Sequence, residues 1–197
     1  MNRRHLLLSA GALTIAFAPV AWAVNPAENF VSGNIQAGFT ILNDSTLSAA
    51  QRREHFAAFL MGLTDMKRVA LSFLGRYAAG AAPADLDAYF AAYQDYVLSV
   101  YQSYFASYAG QSLHVIASRE RAPGDFIVTT NMLGSGAKPM EIDFRVRTDG
   151  PTPLLVDLGV AGIWLGLAQR DEFLSVLAQN GGDIKALTAH LRTAQAS

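Results

Sequence analysis

The spacing of apolar residues changes near residue 110, and this change limits the chain to a mixed fold. Between residues 83 and 108 apolar and aromatic side chains recur every three or four positions, which is the period of one face of a helix. From residue 113 onward the period is two, as in half-buried strands. Helices followed by a run of strands favour an α+β domain over alternating α/β units. The helical stripe consists of Leu86, Phe90, Tyr93, Val97, Tyr101, Phe105 and Tyr108.

The period-two segments predict an antiparallel meander with one apolar face. The third segment shows the alternation best, because Ile142 and Phe144 share one face while Asp143 and Arg145 share the other. Short connections rich in glycine and proline separate the segments, so neighbouring strands are expected to be antiparallel. The predicted strands span residues 113–119, 126–132, 140–147 and 154–160.

Further helices are predicted on both sides of the strands. Ser48 followed by Gln51 is a capping box, and Thr64 or Asp65 is a candidate cap for a third, short helix. The other predicted helices span residues 28–42, 169–178 and 184–192, the last capped by Asp183. We therefore predict an antiparallel sheet of four strands, or slightly more, packed against several helices.

The composition requires a place for an unusual amount of apolar material. Hydrophobic residues make up 51% of the 197 residues and charged residues only 16%, and this length fits one domain. A large core, a membrane segment or an internal apolar cavity would each account for the surplus. We expect a cavity between the aromatic helix and the apolar face of the sheet, with a filled core as the alternative.

Residues 1–23 are typical of a secretory signal peptide. Arg3 and Arg4 give the short N-terminal segment its positive charge, and residues 6–20 are almost wholly apolar. Ala21 and Ala23 are small residues at the two positions that signal peptidase recognises. The two arginines fit a twin-arginine signal, and an ordinary Sec signal remains the alternative. This predicts export to the periplasm and a single mature domain at residues 24–197.

Charge and cysteine content exclude several classes of protein. The formal net charge of −1 becomes slightly more negative once the two arginines of the signal are removed. No basic stripe is present, so nucleic acid is not an expected partner. The chain has no cysteine, which excludes disulfides, thiolate metal sites and a lipoprotein anchor.

Residues suited to catalysis or metal binding are few. His55, His114 and His190 are scattered without the spacing of metal ligands, so no metal and no cofactor is predicted. His114 with Asp157 is the only candidate acid–base pair. The alternative role of Asp157 is structural, as a carboxylate bonded to backbone amides or to Arg170. Asp143 is expected to pair across strands, beside Arg145.

Several segments resemble the MlaC family, also called the toluene-tolerance family. The family's pattern is found around Asp157 and Gly159, in the last predicted strand and the stretch that follows it. Arg170 and Phe173 match the arginine and phenylalanine of the helix that comes next in the family. Trp164 departs from the pattern, since a small serine is usual there. Further similar segments lie at residues 51–59, 74–77, 101–108 and 181–191.

This resemblance implies a carrier without enzymatic activity, which shuttles phospholipid between outer and inner membranes. The implied partners are an inner-membrane ABC transporter with an MCE-type subunit and an outer-membrane lipoprotein complex. We expect a monomer whose lipid is cargo rather than cofactor. A hopanoid-like lipid, or a small α+β enzyme with a pocket, is the alternative. By analogy with the family, the candidate lipid-binding residues are Phe59, Leu63, Leu74, Tyr93, Val97, Tyr101, Ile142, Phe144, Val146, Leu158 and Val160.

Overall fold

Six α-helices and a five-stranded sheet make up the described part of the protein. The structure, a computed structural model, describes residues 25–106, 110–134 and 139–194, with the backbone alone for residues 101–106. The predicted signal peptide at residues 1–23 lies outside them, and so do Tyr108 and the side chains of Tyr101 and Phe105. The predicted α+β class is confirmed. The elements are α1 (Pro26–Leu42), α2 (Ala49–Gly62), α3 (Met66–Leu74), a short 3-10 helix (Gly75–Ala78), α4 (Pro83–Ala106), β1 (Ser112–Ala122), β2 (Asp125–Leu133), β3 (Met140–Arg147), β4 (Leu154–Val160), β5 (Ile163–Trp164), α5 (Leu165–Gln179) and α6 (Ile184–Ala194).

Side-chain caps set the starts of the first three helices. The Asn25 side chain accepts the backbone N–H of Glu28 at 2.8 Å, so α1 begins at Pro26, two residues before the predicted start. The capping box of Ser48 and Gln51 is present as predicted. Of the two candidate caps for α3, Asp65 accepts the backbone N–H of Arg68 at 3.0 Å. Each cap satisfies an amide that the helix itself leaves without an acceptor.

The sheet is antiparallel throughout and its strands lie in chain order, from β1 to β5. β3 and β4 have the bounds that the alternation predicts. The small strand β5 was not predicted individually. It pairs with Gly159 and Val160 through a two-residue turn in which Ala161 and Gly162 have φ values of 49° and 83°. Positive φ at both central residues is the geometry of a tight type I′ hairpin.

A β-bulge in β4 determines which of its side chains face the helices. Arg145 is opposite Asp157, whereas the next residue of β3, Val146, is opposite Leu155. Val156 is therefore an extra residue on β4. Without it, Leu155 and Leu158 would lie on opposite faces, because side chains alternate along a strand. The bulge places both leucines on the apolar face.

The N-terminal part of α1 is packed tightly on this face. Ala27 and Val31 of α1 form a buried cluster with Val128 and Val146 of the sheet. Val146 has no exposed surface, so it belongs to this core. The Asn25 side chain also donates to the Ser118 hydroxyl of β1 at 2.7 Å. These contacts hold one end of α1 directly against the strands.

The described part of the aromatic stripe of α4 packs into a second, helical core. The rings of Phe73, Tyr93 and Phe173 meet edge to face, with centroid distances of 5.7 Å, 5.9 Å and 6.2 Å. Leu74 is fully buried in the same cluster. α4 packs mainly on α6. The apolar cavity was expected between α4 and the apolar face of the sheet, but among the described residues its helical wall is formed by α1 and α2. The described residues of α4 border only a smaller cavity beside β4.

The other face of the sheet carries an ion pair between a buried aspartate and a half-buried arginine. Arg145 binds Asp125 through two hydrogen bonds, of 3.0 Å and 2.9 Å, and Asp125 is only 5% exposed. The hydrogen bond from Arg145 holds the pKa of Asp125 below its ordinary value. Asp143 does not pair with Arg145 and instead accepts the Thr129 hydroxyl at 2.6 Å.

Replacing Tyr89 with phenylalanine is expected to destabilise the helical core. Tyr89 is fully buried, and its hydroxyl donates to the carbonyl oxygen of Ala70 at 3.0 Å. Losing such a bond costs about 1 kcal/mol, measured as the free energy of unfolding in urea. Tyr77→Phe is the matched control, because among the described residues the Tyr77 hydroxyl has one hydrogen bond, which it accepts from the exposed side chain of Arg76. Equal effects of the two substitutions would contradict the prediction.

Candidate functional site

A cavity of about 410 Å³ lies between the sheet on one side and α1 and α2 on the other. This volume is within the range of small-molecule binding sites. Its lining residues come from seven elements, which are α1, α2, β1, β2, β3, β4 and α5, and from the two connections that precede β1 and follow α2. They are Phe30, Val31, Asn34, Ile35, Gly38, Phe39, Leu42, Phe56, Phe59, Leu60, Leu63, Gln111, Leu113, Met132, Met140, Ile142, Phe144, Leu155, Leu158, Val160 and Leu165.

The helical wall is built by a stripe on α1. Ile35, Phe39 and Leu42 recur at the period of one helix face and line the cavity. Gly38 lies between them where α2 comes closest, since a Cβ placed there would be 3.2 Å from the Phe56 ring and 3.3 Å from the Phe59 ring. The absence of a side chain at Gly38 therefore lets α1 and α2 form a continuous wall.

The opposite wall is the apolar face of β3 and β4. Ile142 is opposite Val160, and Phe144 is opposite Leu158, in the strand register. All four side chains are only half-buried, although they face the interior. Their exposed surface is turned toward unfilled space, in contrast to Val146 beneath the N-terminal part of α1. The wall thus presents apolar surface to the cavity that the described residues only partly cover.

Among the described residues, the cavity lining contains no ionisable side chain, and its polar side chains are the amides of Asn34 and Gln111. A buried charge without a partner is costly, so this lining disfavours a charged ligand group and favours hydrocarbon.

A second, smaller cavity of about 90 Å³ lies beyond a partition of leucines. Leu60, Leu155, Leu158 and Leu165 line both cavities. The smaller cavity borders α4 and the helical core, and it contains polar groups that the larger one lacks. Its remaining lining residues are Met61, Thr64, Met66, Val69, Phe73, Tyr93, Val97, Val100, Val156, Asp157, Gly166 and Gln169.

The structure distributes the candidate lipid-binding residues over several places. Leu74 and Val146 are enclosed in the two cores, and the side chain of Tyr101 lies outside the described part. Tyr93 and Val97 line only the smaller cavity. The candidates that line the larger cavity are Phe59, Leu63, Ile142, Phe144, Leu158 and Val160.

Sequence reasoning missed the contribution of α1. The spacing of Val31, Ile35, Phe39 and Leu42 predicts the helix but does not show which face of the sheet it covers. Trp164 lines neither cavity. The Trp164 ring lies beside Gly159, since a Cβ built on Gly159 would be 3.5 Å from the ring.

Asp157 caps a helix. Its Oδ1 accepts the backbone N–H of Gly166, in the first turn of α5, and that of Leu158, each at 2.8 Å. A negative charge at this position is also favoured by the helix dipole. The structural role expected for Asp157 is therefore observed with backbone amides rather than with Arg170. Burial nevertheless raises the pKa of Asp157 above its ordinary value.

His114 and Asp157 are too far apart to act as an acid–base pair. His114 is exposed on β1, where its Nε2 lies 3.1 Å from the Ser112 hydroxyl. Three strand spacings separate β1 from β4, a distance of about 14 Å. His190 binds Glu172 on the surface at 2.8 Å, and His55 is exposed.

Within residues 25–106, 110–134 and 139–194, no group of three histidine or carboxylate side chains could hold a metal ion. No helix in these ranges is long and apolar enough to cross a bilayer.

The fold and the cavity define the class, an α+β domain with a large apolar cavity between its sheet and its helices. A sequence model described as "MlaC protein" matches residues 33–193. The chain belongs to the MlaC family, and the resemblance noted in its sequence is confirmed. A solved structure of a phospholipid-binding protein from Ralstonia solanacearum, in complex with a phospholipid, has the same fold. It matches 87% of this chain and 98% of its own at a TM-score of 0.76 and 21% sequence identity.

Replacing Asp157 with asparagine is expected to change how stability depends on pH. The pKa of Asp157 is higher in the folded state than in the unfolded state. At pH values just above the ordinary pKa of aspartate, Asp157 is therefore still protonated in the folded state but already ionised in the unfolded state. The free energy of unfolding contributed by Asp157 therefore falls as the pH rises through this range. Asp157→Asn removes this contribution, which urea unfolding at a series of acidic pH values would detect.

The control for this experiment is Asp171→Asn, an exposed aspartate on α5. It is expected to keep the wild-type pH dependence. An Asp157→Asn variant whose stability follows the wild-type pH curve would contradict the assignment.

Proposed function

We propose that the protein is a periplasmic lipid carrier that holds a phospholipid by its acyl chains in the larger cavity. The observation that supports this most is the cavity itself, whose walls on α1 and the sheet are apolar and unfilled. The family supports the proposal, and so does the fold shared with a protein that was solved with a phospholipid bound.

Burial of hydrocarbon supplies the energy for binding. Each methylene group moved from water into the cavity contributes about 0.8 kcal/mol, so an acyl chain of about ten buried methylenes gains roughly 8 kcal/mol before the costs of association. The headgroup remains outside, because no charged side chain in the described part of the lining would receive a phosphate.

The carrier exchanges lipid with membrane complexes at both sides of the periplasm. The proposed partners are an inner-membrane ABC transporter with an MCE-type subunit and an outer-membrane lipoprotein complex. The chain acts as a monomer that is exported by its signal peptide. Release requires a partner that favours the emptied carrier, since a binding equilibrium shifts only through differential affinity.

Filling the cavity with a tryptophan tests the proposed binding site. Ile142→Trp puts a large ring against the sheet wall and takes space from the lipid. Losing contact with about two methylenes would lower affinity roughly tenfold. Native mass spectrometry of gently purified protein measures the fraction that carries lipid, and the mass of the released lipid distinguishes phospholipid from a hopanoid.

Ile116→Trp provides the matched control. Ile116 lies on β1, is 53% exposed and does not line the larger cavity, so this variant should carry lipid like the wild type. Thermal unfolding establishes that both variants are folded. Wild-type protein that carries no lipid after gentle purification, and takes none up after delipidation, would refute the proposal.

A further inference from the structure

Asn34 interrupts the apolar wall that α1 presents to the cavity. The other cavity-lining residues of this helix are Phe30, Val31, Ile35, Gly38, Phe39 and Leu42. A leucine or alanine at residue 34 would complete the apolar stripe and would also favour the helix more than asparagine does. Asparagine at residue 34 lowers the helix propensity of α1, so helix formation does not explain its presence there.

The orientation of the Asn34 amide follows from one hydrogen bond. Its Nδ2 lies 2.7 Å from the backbone carbonyl oxygen of Phe30. A carbonyl oxygen only accepts, so the atom facing it must be the amide nitrogen. This assignment leaves Oδ1 at the other end of the amide group, where it needs a hydrogen-bond donor.

Oδ1 of Asn34 has no donor within the described part of the chain, since the bond to Phe30 is the only side-chain hydrogen bond of Asn34 there. Among the same residues, no side-chain oxygen or nitrogen is both sealed from solvent and unpartnered. Oδ1 is therefore open to solvent, and the space that Asn34 lines is the cavity. In the unloaded protein, water can donate to it.

Loading a purely hydrocarbon chain would remove this water and leave Oδ1 without a donor. Burying a carbonyl oxygen without a hydrogen bond is unfavourable. The ester carbonyls of a phospholipid cannot correct this, because they too only accept hydrogen bonds. A hydroxyl group on the ligand would donate to Oδ1 and restore the lost bond.

The position of Asn34 fixes where such a hydroxyl must lie. Asn34 is the middle residue of α1, eight residues from Pro26 and eight from Leu42, which is about 12 Å from either end of the helix. We propose that the cavity selects a lipid bearing a hydroxyl group that reaches this middle part of α1, and that Asn34 Oδ1 accepts a hydrogen bond from it. This inference rests on the proposed function.

Two sources could supply that hydroxyl, a hydroxylated acyl chain and the free glycerol hydroxyl of a lysophospholipid. Delipidated protein is therefore titrated with stearic acid, with stearic acid hydroxylated at mid-chain, and with a matched pair of diacyl phospholipid and lysophospholipid. Dissociation constants are measured for the wild type, for Asn34→Leu and for Asn29→Leu. Asn29 is an exposed asparagine on the same helix, so its variant is a control with the same substitution.

The measured quantity is the ratio of the two dissociation constants within each pair, plain over hydroxylated. We expect this ratio to be about fivefold higher in the wild type than in Asn34→Leu, because a factor of this size corresponds to the free energy of one neutral hydrogen bond. Asn29→Leu should give the wild-type ratio. A change confined to the fatty-acid pair assigns the hydroxyl to the acyl chain, and one confined to the phospholipid pair assigns it to the glycerol.

Equal ratios in the wild type and Asn34→Leu for both pairs would overturn the inference. In that result binding of stearic acid itself would still support the proposed carrier function, whereas failure of the wild type to bind any of the four probes would refute the carrier function. If Asn34→Leu does not fold, Asn34→Ala gives the same comparison, because alanine also removes the acceptor.

Discussion

The contact of α1 with the sheet is uneven, and the cavity depends on this. At one end the small side chains of Ala27 and Val31 allow close packing on Val128 and Val146. Toward the other end the stripe carries Phe39 and Leu42, and these side chains line the cavity. A single helix thus closes the apolar face at its N-terminal part and leaves the rest of that face available to a ligand. The Asn25–Ser118 hydrogen bond keeps the closed end in place.

The bulge at Val156 links the cavity to the rest of the fold. It turns Leu155 and Leu158 toward the interior, where they separate the two cavities. The next residue, Asp157, caps α5 from the strand, and a Cβ on Gly166 would lie 2.8 Å from its Oδ1. One local irregularity in the strand therefore positions the leucine partition and the start of α5 together. The backbone N–H of Leu155 also donates to the carbonyl of Leu63 at 2.8 Å, which fixes the end of α2 to the same strand.

Most of the fold could be predicted because its signals are local. The alternation in β3 and the capping box at Ser48 depend on residues close together in the chain, and both are found as predicted. The start of α5 could not be predicted well, since its cap is Asp157, a residue of the preceding strand. The strand half of the cavity followed from Ile142 and Phe144 for the same local reason. The helical half of the cavity could not be predicted, because periodicity identifies the apolar face of a helix but not the element that packs on it. For this reason α4 was expected in the place that α1 occupies.

The half-buried walls of the cavity also have a thermodynamic consequence. Apolar surface in contact with water raises heat capacity, and its removal by a ligand lowers it. Under the proposed function, lipid binding should therefore be accompanied by a negative heat-capacity change that scales with the area of the cavity wall that the lipid covers. The hydrophobic contribution to retention weakens on cooling, so the balance between holding and releasing hydrocarbon varies with temperature even when every contact stays the same.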